Sequence, residues 1–295
     1  MISIVLPTYN GQQYLELAIR SIMTQTYCDW ELIIIDDCST DNTPMIAKHF
    51  ANIDPRIKYH RNRKNLQLPA SLNEGFSLSQ GEYLTWTSDD NVLLPKALAT
   101  MYEYMESNDV GLVFARQEII NQNGNVIGRS PAVEKIEDLF FKNIVGACFM
   151  YRRDVYEDVG AYDTNKFLVE DWDYWLRIYR KYPIGHIEAV LYQYRTHGAS
   201  LTEHRNFEVQ RMVSNYLEDI LRKDVLTDYI KSNIYLELIK RYFSINSFDS
   251  MRTYYKKVRN EYPERLSEIG LKYRMANYLP NVIMKNCRNI LRIFK

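Results

Sequence analysis

Two adjacent carboxylates, Asp89 and Asp90, stand in the tetrapeptide Ser88-Asp89-Asp90-Asn91, directly after the strand-like run Glu82-Tyr83-Leu84-Thr85-Trp86. At the carboxyl edge of a strand such a pair suits a hard divalent cation with oxygen ligands, and a cation there holds a diphosphate. Asp-Asp and Asp-Asn are also ordinary turn formers, so the pair in isolation reads as a turn. Two further loops follow strands in the same way. Pro7-Thr8-Tyr9-Asn10 comes after the apolar run Ile2-Ser3-Ile4-Val5-Leu6, and Asp36-Asp37 closes Trp30-Glu31-Leu32-Ile33-Ile34-Ile35. Ligands of open α/β sheets sit beyond the carboxyl ends of the strands, so the three loops are expected to meet in one crevice.

The elements that must position them follow from periodicity. Between the first two strands, Leu15, Ala18, Ile19 and Ile22 recur at helical spacing, which makes a β-α-β unit. A helix over 42–52 with Asp41 as its N-cap, a short strand over 57–60, a helix over 69–79, a helix over 96–107 opened by Pro95, and a strand over 110–115 continue the alternation. From residue 117 the pattern changes: Asn123-Gly124 between Ile119-Ile120 and Val126-Ile127 predicts a hairpin, and 146–151 another strand. Beyond about 203 there is no glycine between Gly198 and Gly270, and the residue types favour helix. The chain is therefore expected to divide into an α/β domain over 1–203 and a helical region over 204–295.

A chain of 295 residues, 46% hydrophobic and 25% charged, suffices for one large core and a smaller appendage. Its formal net charge of zero argues against a nucleic-acid partner, which demands a basic excess. Cys28, Cys38, Cys148 and Cys287 form no C-x-x-C pair, as expected of reduced thiols in a cytoplasmic protein. No leader is expected before the first strand, and apolar stretches fall short of the roughly 18 residues that a spanning helix needs, so any contact with the inner face of the cell membrane is expected to be peripheral. The last 25 residues, 271–295, hold six basic side chains and no acidic one, interleaved with apolar ones. Such a tail either lies on an anionic membrane surface or docks as a terminal helix on its own domain or a second subunit.

The ordered set P-T-Y-N (7–10), I-I-I-D-D-C-S-T-D (33–41), N-E-G (73–75), S-D-D-N (88–91), E-D-W-D-Y-W-L-R (170–177) and Y-R-T-H (194–197) resembles the inverting glycosyltransferases of family 2. The resemblance covers about residues 1 to 203. It implies the GT-A fold, a Rossmann-like open mixed sheet flanked by helices, here with a C-terminal helical appendage and an acceptor side built by the second half of the sheet. It further implies metal-dependent transfer of a single hexosyl or N-acetylhexosaminyl group from a UDP-sugar to a hydroxyl of a glycan, lipid-linked or protein-linked.

Residue by residue, the resemblance makes Asp37 the acceptor of the uracil N–H, with Tyr9 stacking beneath the base and Pro7, Thr8 and Asn10 shaping the loop. Asn65, Asn73, Ser88 and Asp89 join the donor-binding set, Asp89 on the ribose and sugar side. Asp90 would be the metal ligand, with His197 as a further ligand or a diphosphate donor; oxygen ligands with open positions suit Mg²⁺ or Mn²⁺. Asp171 would be the general base that takes the acceptor proton, and Glu170 would lie beside the substrate. Each has a plainer reading: Asp36 and Asp37 as a solvated turn and helix cap, His197 as a structural histidine, Asp171 as an N-cap.

Two departures from the family pattern bear on these roles. The usual N-x-G before the third helix is Asn65-Leu66-Gln67, and a side chain at the glycine position disfavours positive φ, so that loop is expected to run differently. No Q-x-x-R-W follows the base, which argues for single-sugar transfer rather than processive synthesis. A nucleotidyltransferase or a dinucleotide-dependent oxidoreductase would need a glycine-rich loop after the first strand, which P-T-Y-N-G does not supply. A catalytically silent sugar-binding or scaffolding relative would be expected to lack Asp90 or Asp171, and both are present.

Overall fold

The computed structural model describes residues 1–198 and 205–278. They fall into two compact units, one of residues 1–136 and 144–198, the other of residues 137–143 and 205–278. Among the described residues, nine strands join in one sheet, and the fold is GT-A.

The first half of the sheet is parallel. β1 (Ile2–Thr8) lies between β2 (Trp30–Asp36) and β4 (Tyr83–Trp86), with Val5 opposite both Ile33 and Trp86, and β3 (Ile57–Arg61) extends it beside β2. Helices on both faces bury β1, β2 and β4, so these read as largely apolar runs rather than as alternation, whereas the edge strand β3 exposes Lys58 and Arg61. α1 (Leu15–Met23) and α2 (Thr43–Ile53) pack in the crossovers, and α3 (Leu68–Ser77) approaches β1 closely because Gly75 has no side chain: a Cβ there would meet Val5 Cγ1 at 2.3 Å. Asn42 occupies the α2 cap, and Asp41 closes the turn by accepting from Thr43 N at 2.9 Å.

The second half is mixed, which is why the β-α alternation stops. β5 (Val92–Leu93) leads to α4 (Ala97–Ser107), and β6 (Leu112–Ile120) runs longer than its apolar stretch. β6 is held along its length: β9 (Ile184–Arg195) pairs beside it in parallel, while β8 (Phe149–Arg152) and then β7 (Val126–Arg129) pair antiparallel on its other edge. The β6–β7 hairpin turns at Gly124, whose φ of 85° is cheap only for glycine. β8 also pairs antiparallel with β4, and β5 with β9, so the sheet brings the segment after β4 against the end of β9.

Behind the sheet, α5 (Arg153–Val159) and α6 (Glu170–Tyr179) pack through an aromatic cluster. Phe149 and Trp175 have ring centroids 4.2 Å apart, Tyr162 stacks on Tyr174 at 4.0 Å, and Trp86 Nε1 donates to the Tyr162 hydroxyl at 3.0 Å.

The other unit is helical, with α7 (Asn206–Lys223), α8 (Asp228–Ser244), α9 (Phe248–Glu261) and α10 (Leu271–Tyr278). Glu218 of α7 accepts from Tyr242 at 2.6 Å and Tyr254 at 2.9 Å, which ties three helices to one carboxylate. Residues 137–143 join this unit because Tyr229 donates to Asp138 at 2.8 Å and stands edge-on to Phe141. Cys287 and most of the basic tail, residues 279–295, lie outside the described residues.

The loop before α3 corrects the expectation that Gln67 would avoid positive φ. Gln67 adopts φ 69° and ψ 167°, a region otherwise almost reserved for glycine, while its N–H donates to Asp37 Oδ2 at 2.9 Å and Asn65 Oδ1 at 3.1 Å. Replacing Gln67 by Gly relieves about 1–3 kcal/mol of backbone strain and costs about 0.4–1 kcal/mol of added unfolded-state entropy. Gln67→Gly is therefore expected to raise the midpoint of urea unfolding, and a lowered midpoint would contradict the strain.

Candidate active site

The loops after β1, β2 and β4 come together as their strand register requires. At the end of β2 the two aspartates divide. Asp36 is fully buried, accepting from Ser39 N at 2.8 Å and Tyr59 Oη at 2.7 Å, so its turn is a buried one rather than a solvated one. Asp37, also buried, shapes the loop before α3: Oδ1 accepts from Asn62 Nδ2 at 2.9 Å and Leu66 N at 2.8 Å, and Oδ2 from Gln67 N. A carboxylate has about four acceptor sites, which leaves Asp37 Oδ2 capacity for one more donor. Tyr9, 52% exposed, stands beside this loop end with its ring accessible.

Several residues expected at the substrate also make joints of the scaffold. Asn10, at φ 55°, accepts from Thr40 N at 2.8 Å and so ties the β1 loop to the β2 loop. Asn73 is engaged on both sides: its Oδ1 accepts from Tyr162 N and its Nδ2 donates to Tyr162 O, both at 2.9 Å, so both ends of the amide grip the backbone of the aromatic cluster. Asn65 is turned to Gln67 N. Ser88 lies half-buried, its carbonyl accepting a long 3.5 Å bond from Asn91 N, and Pro7 lies within β1.

Asp89 and Asp90 sit where β4 ends. Thr8 Oγ1 donates a 2.5 Å hydrogen bond to Asp89 Oδ2, and Gly11 leaves the space in which this carboxylate rests, since a Cβ on Gly11 would lie 2.1 Å from Asp89 Oδ2. Burial, then the neighbouring Asp90 charge, push the Asp89 carboxyl up to about 7. Asp90 is pushed up by burial, and His197 opposes that shift through a 3.0 Å contact between Nε2 and Oδ2. The other Asp90 oxygen, Oδ1, is buried and has no hydrogen-bond partner among the described residues. An orphaned carboxylate oxygen is costly unless something completes it, and a cation does so.

Motif reading alone does not reveal how this turn is closed. Arg195, buried at the end of β9, donates from Nε to the Asp90 carbonyl at 2.8 Å and from Nη1 to the Asn121 carbonyl at 3.2 Å, with its guanidinium 4.5 Å above the Tyr14 ring. Its own N–H is held by Asn91 Oδ1 at 2.8 Å. Tyr14 in turn donates to the Gln122 carbonyl at 3.3 Å and faces the His197 ring at 5.2 Å. An arginine at the end of the last strand is the one sequence signal for this joint.

At the start of α6 the cap residue is Val169, so Asp171 is an interior first-turn residue and not the N-cap. Asp171 Oδ1 accepts from Trp172 N at 2.6 Å. Glu170 is 4% exposed, its Oε2 has no hydrogen-bond partner among the described residues, and burial followed by the Asp171 charge pushes its carboxyl up to about 8. Asp171 also acts electrostatically on Tyr162, the partner of Trp86 at the end of β4. Asp173 pairs along the helix with Arg177 at 2.9 Å.

The family model "Glycosyl transferase family 2" matches residues 3–160, more than half of the chain. The chain belongs to glycosyltransferase family 2. This family 2 chain is 31% identical over 244 residues to the O-antigen biosynthesis glycosyltransferase WbnJ of Escherichia coli, covering 78% of this chain and 92% of that one. It is 26% identical over 251 residues to WfgD of Escherichia coli, a UDP-Glc:alpha-D-GlcNAc-diphosphoundecaprenol beta-1,3-glucosyltransferase, covering 83% and 91%. Some relatives are longer, and the chain spans 44% of one of them. Among solved structures, S. aureus TarS 1–349 in complex with UDP-GlcNAc matches with a TM-score of 0.64 at 16% identity over 99% of this chain and 90% of that one. The mannosyltransferase PcManGT of Pyrobaculum calidifontis, in complex with GDP-Man and Mn²⁺, matches with a TM-score of 0.65 at 16% identity over 100% and 81%. These likenesses establish the shared fold.

Two raised carboxyls have a consequence for stability. Asp89 and Glu170 keep protons in the folded chain that they lose when unfolded, so from the ordinary carboxylate range up to about 8 the folded state binds more protons and stability falls as pH rises. Glu170→Gln removes its share of that loss. Between about pH 5 and pH 8.5 in EDTA the melting temperature of Glu170→Gln is expected to fall less than that of the parent; equal falls would contradict the buried charge.

Proposed function

We propose that this family 2 glycosyltransferase moves one sugar from a UDP-sugar to a hydroxyl of a glycan acceptor, with inversion and with a divalent cation at Asp90. The observation that carries the reading is the Asp90 carboxylate, one oxygen held by His197 and the other buried without a partner among the described residues, beyond the carboxyl ends of the parallel strands. Among the described residues no three His, Cys, Asp or Glu side chains form a metal cluster. That fits Mg²⁺ or Mn²⁺, which keep several waters and take phosphate oxygens alongside one or two protein ligands. Asp90 and His197 would hold the cation, and when bound it supplies charge that offsets the diphosphate as it leaves.

The chain's own residues account for the rest. Asp37 Oδ2 takes the uracil N–H, Tyr9 lies against the base, and Asp89, aimed by Thr8, takes hydroxyls on the ribose and sugar side. Asp171 accepts the proton of the acceptor hydroxyl while its oxygen attacks the anomeric carbon on the face opposite the nucleotide. Fixed in the first turn of α6, that carboxylate is preorganised for the task. The acceptor we favour is a lipid-linked glycan in surface polysaccharide assembly, supported by the names of WbnJ and WfgD, and the donor a UDP-hexose or UDP-N-acetylhexosamine, supported by WfgD and the TarS complex.

A thermal-shift screen against UDP-, GDP- and dTDP-sugars with Mn²⁺, Mg²⁺ or EDTA tests the donor site, because a ligand of the folded state raises its melting temperature. Stabilisation by a UDP-sugar that vanishes with EDTA and in Asp90→Ala is the expected result, and stabilisation indifferent to EDTA would remove the metal from the site. Asp171→Asn is expected to keep the donor shift while kcat drops by about 10²–10⁴. Normal turnover of that variant would sink the base assignment.

A further inference from the structure

The zero net charge of the chain hides an uneven distribution. Residues 1–203 hold 19 Lys and Arg against 27 Asp and Glu, a balance of −8, whereas residues 204–295 hold 18 against 10, a balance of +8. Within the helical unit the excess meets apolar surface. Along α10, Leu271, Met275 and Tyr278 follow one another at steps of four and three residues, hence on one side of the helix, and are 55%, 39% and 72% exposed. Ala276 points the other way and is buried.

The neighbouring surface of α9 continues this side. The Tyr278 side chain is hydrogen-bonded to Tyr255, and Arg259 and Arg274 lie close enough to that hydroxyl to act on it electrostatically. Arg259, Arg274 and Lys256 are exposed, and among the described residues no carboxylate pairs with them. Several other basic side chains of the unit are paired within their helices or across them, as Lys240 is with Glu237 and Lys231 with Glu261. Unpaired cations, a tyrosine and two long apolar side chains on one face make the composition that adsorbs to a headgroup layer.

We infer that the α9–α10 face is a docking surface for an anionic lipid bilayer. The partner is chosen by charge: the face offers Arg259, Arg274 and Lys256 without counter-ions among the described residues, in a region whose sequence carries a balance of +8. Among the described residues no helix is long and apolar enough to cross a membrane, so adsorption is the mode of contact. This surface stands independently of the transfer reaction, since a bilayer would be bound with or without donor.

Flotation of the full chain with vesicles, in EDTA and without nucleotide, tests it. The chain is expected to float with phosphatidylcholine vesicles that contain phosphatidylglycerol, to stay behind with phosphatidylcholine alone, and to be released by high salt. At about fivefold per basic residue near the surface, Arg259→Gln with Arg274→Gln should weaken partitioning about thirtyfold. Met275→Glu should weaken it as well, and an unchanged melting temperature certifies the fold of each variant. No flotation, equal flotation with neutral vesicles, or variants that partition like the parent would overturn the docking surface. So would a dimer in sedimentation that these substitutions dissociate, because a second copy would then own the face. A chain that floats yet gives no donor-dependent thermal shift would keep the docking surface and remove the transferase reading, and the two are thereby told apart.

Discussion

Two carboxylates side by side in one turn, largely withdrawn from water, repel each other and lose hydration, and the unit that holds them is organised to tolerate this. Asp89 is given the Thr8 hydroxyl and the space that Gly11 leaves; Asp90 is given His197 on one oxygen and, among the described residues, nothing on the other. The turn cannot spread to relieve the repulsion, because Arg195 grips the Asp90 carbonyl while Asn91 grips the Arg195 N–H. Such a site favours whatever brings positive charge.

The sheet makes that confinement possible by changing character halfway. Its parallel half delivers the ends of β1, β2 and β4 to one side, which is the usual geometry of a nucleotide crevice. Its mixed half brings β5 against β9 and so returns Arg195 and His197 to a turn more than 100 residues earlier in the chain. The aromatic cluster anchors the remaining carboxylates. Trp86, which precedes the acidic turn, is hydrogen-bonded to Tyr162, and Tyr162 stacks on Tyr174 of the helix that begins with Glu170 and Asp171. Asn73 completes this joint by gripping Tyr162.

Much of the parallel half was legible from the chain because its signals are local. Unbroken apolar runs ended by Pro7, Asp36 and Ser88 mark strands buried on both faces, and the loop residues after them mark the crevice. The positive φ of Gln67 was not legible. A local rule assigns such a conformation to glycine, whereas here the carboxylate of Asp37 and the amide of Asn65 hold the backbone in place and outweigh the intrinsic cost. The burial of Asp36 was hidden for the same reason, since its partners Ser39 and Tyr59 lie in different elements.

By itself, then, the order of residues determined the alternating elements, the family and the set of carboxylates, histidine and loops from which a donor site is made, since each depends on residue type and short spacing. The tertiary structure alone decided which groups each of those side chains meets within the fold. Asn73 and Asp37 carry comparable polar groups, but where each is directed depends on contacts up to 89 residues away in the chain. Long-range hydrogen bonds of this kind are formed only when the sheet closes, and no local pattern encodes them.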